Sequence, residues 1–260
     1  MSLQKIMENL DYYNKSMSRT LIDKMFFLPH VDATFFVDYG CGDGSLIEAC
    51  NHFKPESIYC GYDNDKEQVK LARNKVGYLN DSIRIYNTLY YTKRDIERNK
   101  DKKSCLILSS VIHEIYSYQS EEEIEEFWDF VLNTGFDYIA IRDMFPVDHL
   151  WCVNNVEDNK EYHDKLKQFE KVWGSIRNEY NYQHFLLKYY QTENWERELH
   201  ENYLPLKYYQ ILKKFLKSKY NYDVLYENRY ILPFLRKRIR KDFGFNLYLP
   251  THYQLLFERQ

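Results

Sequence analysis

The chain has 260 residues and a formal net charge of −3, enough length for a large buried core and no global pull toward a polyanion. Its 44% hydrophobic and 29% charged residues are those of an ordinary globular protein, and no stretch approaches the roughly 18–20 apolar residues of a membrane-spanning helix, so no membrane partner is expected.

Residues 1–30 read as a helical segment. Ile6, Leu10, Tyr13, Met17, Leu21, Met25 and Phe26 recur at spacings of three and four and share one face. That face packs on the body of the protein, or brings Tyr12 or Tyr13 to a ligand. The stretch Phe35-Phe36-Val37-Asp38-Tyr39-Gly40-Cys41-Gly42-Asp43-Gly44-Ser45-Leu46 then reads as a buried strand, a turn with glycine at every second position, and the start of a helix through His52. Glycine permits positive φ and close approach of a ligand, and the helix start offers unpaired N–H groups and a positive dipole end. Such a strand, loop and helix form a nucleotide-type pocket at the carboxyl edge of a parallel sheet. The second strand, Ser57–Tyr62, ends at Asp63, at the roughly twenty-residue interval expected between a nucleotide loop and a ribose-binding carboxylate. Asp65 caps a helix over 66–77, and Ile83–Tyr86 is a third strand.

The pattern Asp38-x-Gly40-x-Gly42-x-Gly44 resembles the first motif of class I S-adenosylmethionine-dependent methyltransferases at all four defined positions. A nicotinamide site has its third glycine one residue later, which opposes that alternative. The resemblance implies that Asp38 and the loop backbone receive the methionine part of the cofactor and that Asp63 is the second-motif acid. Asn64 stands where the family often packs an apolar side chain on adenine; Asn64 is kept as a cofactor residue, with Tyr62 or another aromatic open as the stacking group. Asn87 falls where the family hydrogen-bonds the adenine edge.

Residues 88–103 read as a short helix and solvated loop. Cys105–Ser110 is a fourth strand, and the run through Tyr118 resembles the family's fourth motif, facing the sulfonium methyl group. There Ser109 and Ser110 would allow close approach, and Tyr116 is assigned to substrate. His113 is the candidate general base or substrate-orienting group, against a loop-bracing role. With Ser117 where H-E-x-x-H needs histidine, His113-Glu114 is not a zinc motif, and no metal is expected. An acidic amphipathic helix spans Glu121–Leu132, with Gly135 in its C-cap region. The fifth strand, Asp137–Ile141, ends in Arg142 and Asp143, which either contact substrate from the crevice or form an internal ion pair.

Residues 145–204 read as a helical insertion covering the pocket. Val172, Trp173, Ile176, Tyr180, Tyr182, Phe185, Leu186, Tyr189 and Tyr190 recur with helical period. Trp195, in a dense Asn194–Glu198 run, is lid packing or an aromatic substrate wall. A helix over Leu206–Leu216 precedes two strands, Asp223–Leu232 and Tyr253–Glu258. The basic run Arg236–Lys241 between them is a solvated connection, or a grip on phosphates. Five cysteines (Cys41, Cys50, Cys60, Cys105, Cys152) include no C-x-x-C pair and suit small buried residues in a reducing compartment. With no secretory signal in the opening residues, a cytoplasmic location is expected.

The resemblance spans residues 30–145 and 205–260. It implies an α/β, Rossmann-like, seven-stranded and mostly parallel sheet with helices on both faces, an antiparallel final strand and a helical insertion after the fifth. The expected organisation is an N-terminal helical segment (1–30), a cofactor-binding core (31–144), the insertion or lid (145–204) and the rest of the core (205–260). The expected activity is methyl transfer from S-adenosylmethionine to oxygen or nitrogen of a small molecule. An RNA methyltransferase and a non-catalytic cofactor-binding or scaffold protein are the alternatives. Oligomeric state is not legible.

Overall fold

Five consecutive buried residues, Phe35–Tyr39, form β1, paired in parallel with β2 (Ile58–Tyr62) on one side and β4 (Ser104–Ser109) on the other. The computed structural model describes residues 20–79, 81–147 and 159–260. The expected helical positions Ile6, Leu10, Tyr12, Tyr13 and Met17 lie outside the described residues, as does Cys152. The part of that segment within them holds a short helix α1 (Leu21–Lys24) and a 3-10 turn (Leu28–His30).

The crossovers are α2 (Ser45–Phe53), α3 (Lys66–Val76) and α4 (Leu89–Arg98), and β3 (Ile83–Tyr86) ends the sheet on this side. Beyond β4 come α5 (Ile112–Tyr118), α6 (Glu121–Asn133) and β5 (Tyr138–Met144). The insertion supplies α7 (His163–Trp173), α8 (Glu179–Lys188) and α9 (Trp195–His200). The chain closes with α10 (Tyr208–Phe215), β6 (Tyr222–Tyr230), α11 (Pro233–Phe243) and β7 (His252–Arg259). Strand order is β3-β2-β1-β4-β5-β7-β6, with β7 antiparallel to both neighbours. This is the expected Rossmann-like sheet with its antiparallel final strand.

Strand side chains alternate between faces, so β1 feeds two cores. Phe35, Val37 and Tyr39 pack with Ile112 of α5, Phe127 and Val131 of α6, and Ile211 of α10. Phe36 packs on the other face with Leu46 and Ile47 of α2 and Val69 and Ala72 of α3. Local sequence fixes the helix starts. Asp65 accepts from the N–H groups of Glu67 and Gln68, and Ser120 forms a capping box with Glu123. Cys41, Cys50, Cys60 and Cys105 are free and buried.

A third core lies in the insertion, where Phe169, Phe185 and Tyr189 meet Leu235, Ile239 and Phe243. The last three, at i, i+4 and i+8, are one face of α11. The basic run expected to be a solvated connection is therefore the outer face of a helix started by Pro233 at its first turn. Val172, expected to point inward, is exposed, because Leu166 and Phe169 form the inward stripe of α7. Ile176 is buried but lies between helices.

Candidate active site

The loop after β1 is held in a tight arc. Gly40 N–H and Cys41 N–H both donate to the Tyr62 carbonyl, at 2.7 and 2.9 Å, so the ends of β1 and β2 share one oxygen. Gly40, Gly42 and Gly44 have φ of 78, 51 and 78°, the left-handed region that a side chain penalises. A Cβ on Gly40 would stand 2.7 Å from Val111 Cγ2, whereas one on Gly42 would meet only Gln68 Oε1, at 4.0 Å. Gly42 thus borders open space. That space is a cavity of about 690 Å³, bounded by the loop, the ends of β2 and β4, and the inner sides of α1, α5 and α6.

Three cavity-lining side chains carry buried polar atoms without a hydrogen-bond partner among the described residues: Asp38 Oδ2, Gln68 Oε1 and Ser109 Oγ. Buried polar atoms are nearly always satisfied, so such atoms around one cavity are the mark of a ligand's polar groups. Burial pushes the Asp38 carboxyl up to about 7, with Lys24 opposing and Asp63 adding to the shift. Asp63 accepts from Gly42 N–H at 2.8 Å and Asp65 N–H at 2.9 Å. Burial raises its carboxyl above the ordinary range despite those two bonds. Lys24 reaches into the same cavity from α1, and burial with the Arg142 charge beside it lowers its ammonium to about 8.

No protein-family model matches the sequence, and no curated protein matches it. Solved structures do. The methyltransferase domain of bacterial CtHen1 matches with a TM-score of 0.51 and 13% identity, over 93% of this chain and 97% of that one. The plantazolicin methyltransferase BamL, in complex with a triazolic desmethylPZN analog and SAH, matches with a TM-score of 0.53 and 14% identity, over 98% and 90%. A putative O-methyltransferase from Nostoc punctiforme matches at 0.54 and 10%, over 96% of this chain and 58% of its own.

The fold is that of the class I S-adenosylmethionine-dependent methyltransferases.

Within this methyltransferase fold, Asp38, Gly40, Gly42, Asp63, Asn64, Ser109 and Ser110 all line the cavity, as does Tyr62. Gly44 shapes the turn from behind. Ser110 is the one described non-glycine residue with positive φ, 61°. Its N–H donates to the Arg142 carbonyl and its hydroxyl accepts from Arg142 Nη1, both at 2.7 Å. Held strain of this kind costs on the order of 1 kcal/mol and turns the strand end toward the cavity.

Six expected site residues are placed differently. His113 is buried off the cavity wall, with Nδ1 2.7 Å from Asp143 Oδ1. Burial alone would lower its imidazole, but the Asp143 carboxylate reverses this and raises it to about 9, which favours the charged ring. Asp143 also accepts from the N–H groups of Ile112 and His113, capping α5 rather than meeting substrate. Tyr116 accepts from Trp128 Nε1. Trp195 donates to Gln168 and lies under the Lys165 ammonium, inside the insertion. Asn87 is half-buried beyond β3 and does not border the cavity. Arg142 and Asp143 do not pair with each other: Arg142 binds Asp23 of α1, at 2.8 Å from Nε.

Lys24, Gln68, Glu114, Tyr118 and Arg197 complete the walls, and none was singled out by motif. Lys24 is three residues after Leu21, which also lines the cavity. That helical spacing, with a cation on an otherwise apolar face, is the signal that could have found it. Arg197 brings the insertion to the rim: it bridges Glu114 of α5 at 3.0 Å and Glu201 at 2.8 Å, and Glu201 accepts from Tyr118.

Proposed function

We propose that this chain is an S-adenosylmethionine-dependent methyltransferase acting on an oxygen or nitrogen atom of a small molecule. The observation that carries the reading is the unsatisfied Asp38 carboxylate oxygen beside the three-glycine loop, with Asp63 at the neighbouring strand end. The donor set fits the cofactor. Asp38 suits the methionine ammonium, Gly42 leaves room for backbone contact, and the remaining lone pairs of Asp63 suit a ribose diol. The bound cofactor supplies a methyl group already activated by its sulfonium.

The protein's part is then positioning and exclusion of water. Ser109 and Ser110 keep the end of β4 narrow where the acceptor approaches. The Arg197–Glu114 and Tyr118–Glu201 contacts join the insertion to α5 at the cavity rim. His113, turned onto Asp143, braces this wall. BamL, with its azole-containing ligand, supports a small-molecule acceptor. The exposed cations Arg236, Lys237, Arg240 and Lys241 of α11 favour RNA as a second reading, but they do not border the cavity.

Calorimetric titration with S-adenosylhomocysteine should give micromolar binding, with NADH silent. No binding by folded protein would remove the methyltransferase reading. Affinity should also depend on pH through Asp38, which faces Lys24 from α1 and Asp63 from β2. The ligand's ammonium pairs with the carboxylate, and the free protein loses that carboxylate as pH falls through about 7. The dissociation constant should therefore rise about tenfold per pH unit below that point. A flat profile down to about pH 5.5 would exclude Asp38 as the ammonium's partner.

A further inference from the structure

A lysine withdrawn from water is rarely left without a counter-charge. Lys24 is only 6% exposed, lines the cavity, and its ammonium makes no hydrogen bond or ion pair with any described residue. The acids that influence it are occupied elsewhere or border the same cavity without pairing with it. Asp43 holds Ser45 and Lys75. Asp23 is bound by Arg142, Tyr230 and Gln254. Asp38 borders the same cavity with an unsatisfied oxygen, yet the two opposite charges do not close into an ion pair.

The residue before Lys24 is firmly anchored. The Asp23 carboxylate accepts from Arg142 Nε at 2.8 Å, forms an ion pair with that guanidinium, and accepts from the Tyr230 hydroxyl at 2.5 Å and Gln254 Nε2 at 3.0 Å, and its carbonyl accepts from Gln254 Nε2 at 2.7 Å. These partners come from β5, β6 and β7, so α1 is fastened across three adjacent strands. This fastening sets where α1 presents Lys24 to the cavity.

We propose that Lys24 binds the carboxylate of the cofactor's amino-acid end, so that Lys24 and Asp38 together select a zwitterion. The proposal rests on the methyltransferase reading for the rest of the ligand. Its own content is the charge pair: an ammonium and a carboxylate, both buried, both lining one cavity and not paired with each other, complement a ligand group carrying the same two charges in reverse.

The test uses the full chain and three ligands: S-adenosylhomocysteine, its decarboxylated analogue, which keeps the amine, and 5′-methylthioadenosine, which has neither charge. Lys24→Met should weaken S-adenosylhomocysteine by about 30-fold, the scale of one charge-assisted hydrogen bond. The other two ligands should change less than about threefold, since neither carries the carboxylate. The melting temperature of the ligand-free protein should rise, because a desolvated charge has been replaced by an apolar chain of similar length. An equal loss for all three ligands, no loss for any, or a lower melting temperature would overturn the assignment. Failure of the unsubstituted protein to bind S-adenosylhomocysteine would instead remove the methyltransferase reading, and this assignment with it.

Discussion

Asp63→Ala is expected to weaken S-adenosylhomocysteine binding by roughly 100- to 1,000-fold, because hydrogen bonds to a charged group contribute about 1.5–3 kcal/mol each and a diol makes two. The carboxylate has two tasks in this structure. It accepts Gly42 N–H and so fixes the glycine loop to the end of β2, and it presents its remaining lone pairs to the cavity. Asp63→Asn separates them, since the amide oxygen can keep one backbone N–H while the charge is gone. Its affinity should fall between those of the native protein and the alanine variant. Stability should change little in either variant. Burial raises the Asp63 carboxyl, so its folded-state charge is disfavoured above the ordinary carboxylate pKa, and its removal offsets much of the cost of two freed N–H groups. Binding by Asp63→Ala within threefold of the native protein would place the nucleoside elsewhere.

The parts of this site that were legible in the sequence are those in which a strand and the turn after it carry the information together. Phe35–Gly44 announces a strand, its turn and its acid within ten residues, and Asp63 follows at a spacing set by one crossover helix. The parts that misled are tertiary. His113 looks like a base because it follows a strand end that faces the cavity. Only the pairing of β4 with β5, which brings residue 143 beside residue 113, shows it turned onto Asp143. The run Arg236–Lys241 hides the apolar face of α11, since five charges surround Ile239 and only Leu235 and Phe243 outside the run reveal the repeat. Lys24 is hidden in the sequence for a similar reason. A lysine in a helix reads as solvated, and what buries this one is the arrangement of Asp23 against β5, β6 and β7.

Arg142→Met should be the most destabilising of the substitutions considered. Breaking a buried ion pair from one side costs about 3–5 kcal/mol because the partner charge is left uncompensated. Arg142 is 5% exposed and Asp23 18% at the side chain, and the same guanidinium holds the strained Ser110. For a chain of this size the expected fall in melting temperature is roughly 10 °C. Adding Asp23→Asn should recover part of it, since the double variant no longer buries a lone carboxylate. A single variant that melts within about 2 °C of the native protein would show that α1 is not held by this pair. Arg142 also acts on the site at a distance. Its charge is one cause of the lowered Lys24 ammonium, and only the protonated lysine can hold a carboxylate. In the native protein that grip should be lost as pH rises through about 8, weakening S-adenosylhomocysteine on the alkaline side. Without Arg142 the lysine keeps its proton to higher pH, so the alkaline limb should move upward even as overall affinity falls with the loosened α1. A merely destabilised protein would lose affinity without shifting that limb; the shift therefore separates the electrostatic role of Arg142 from its mechanical one.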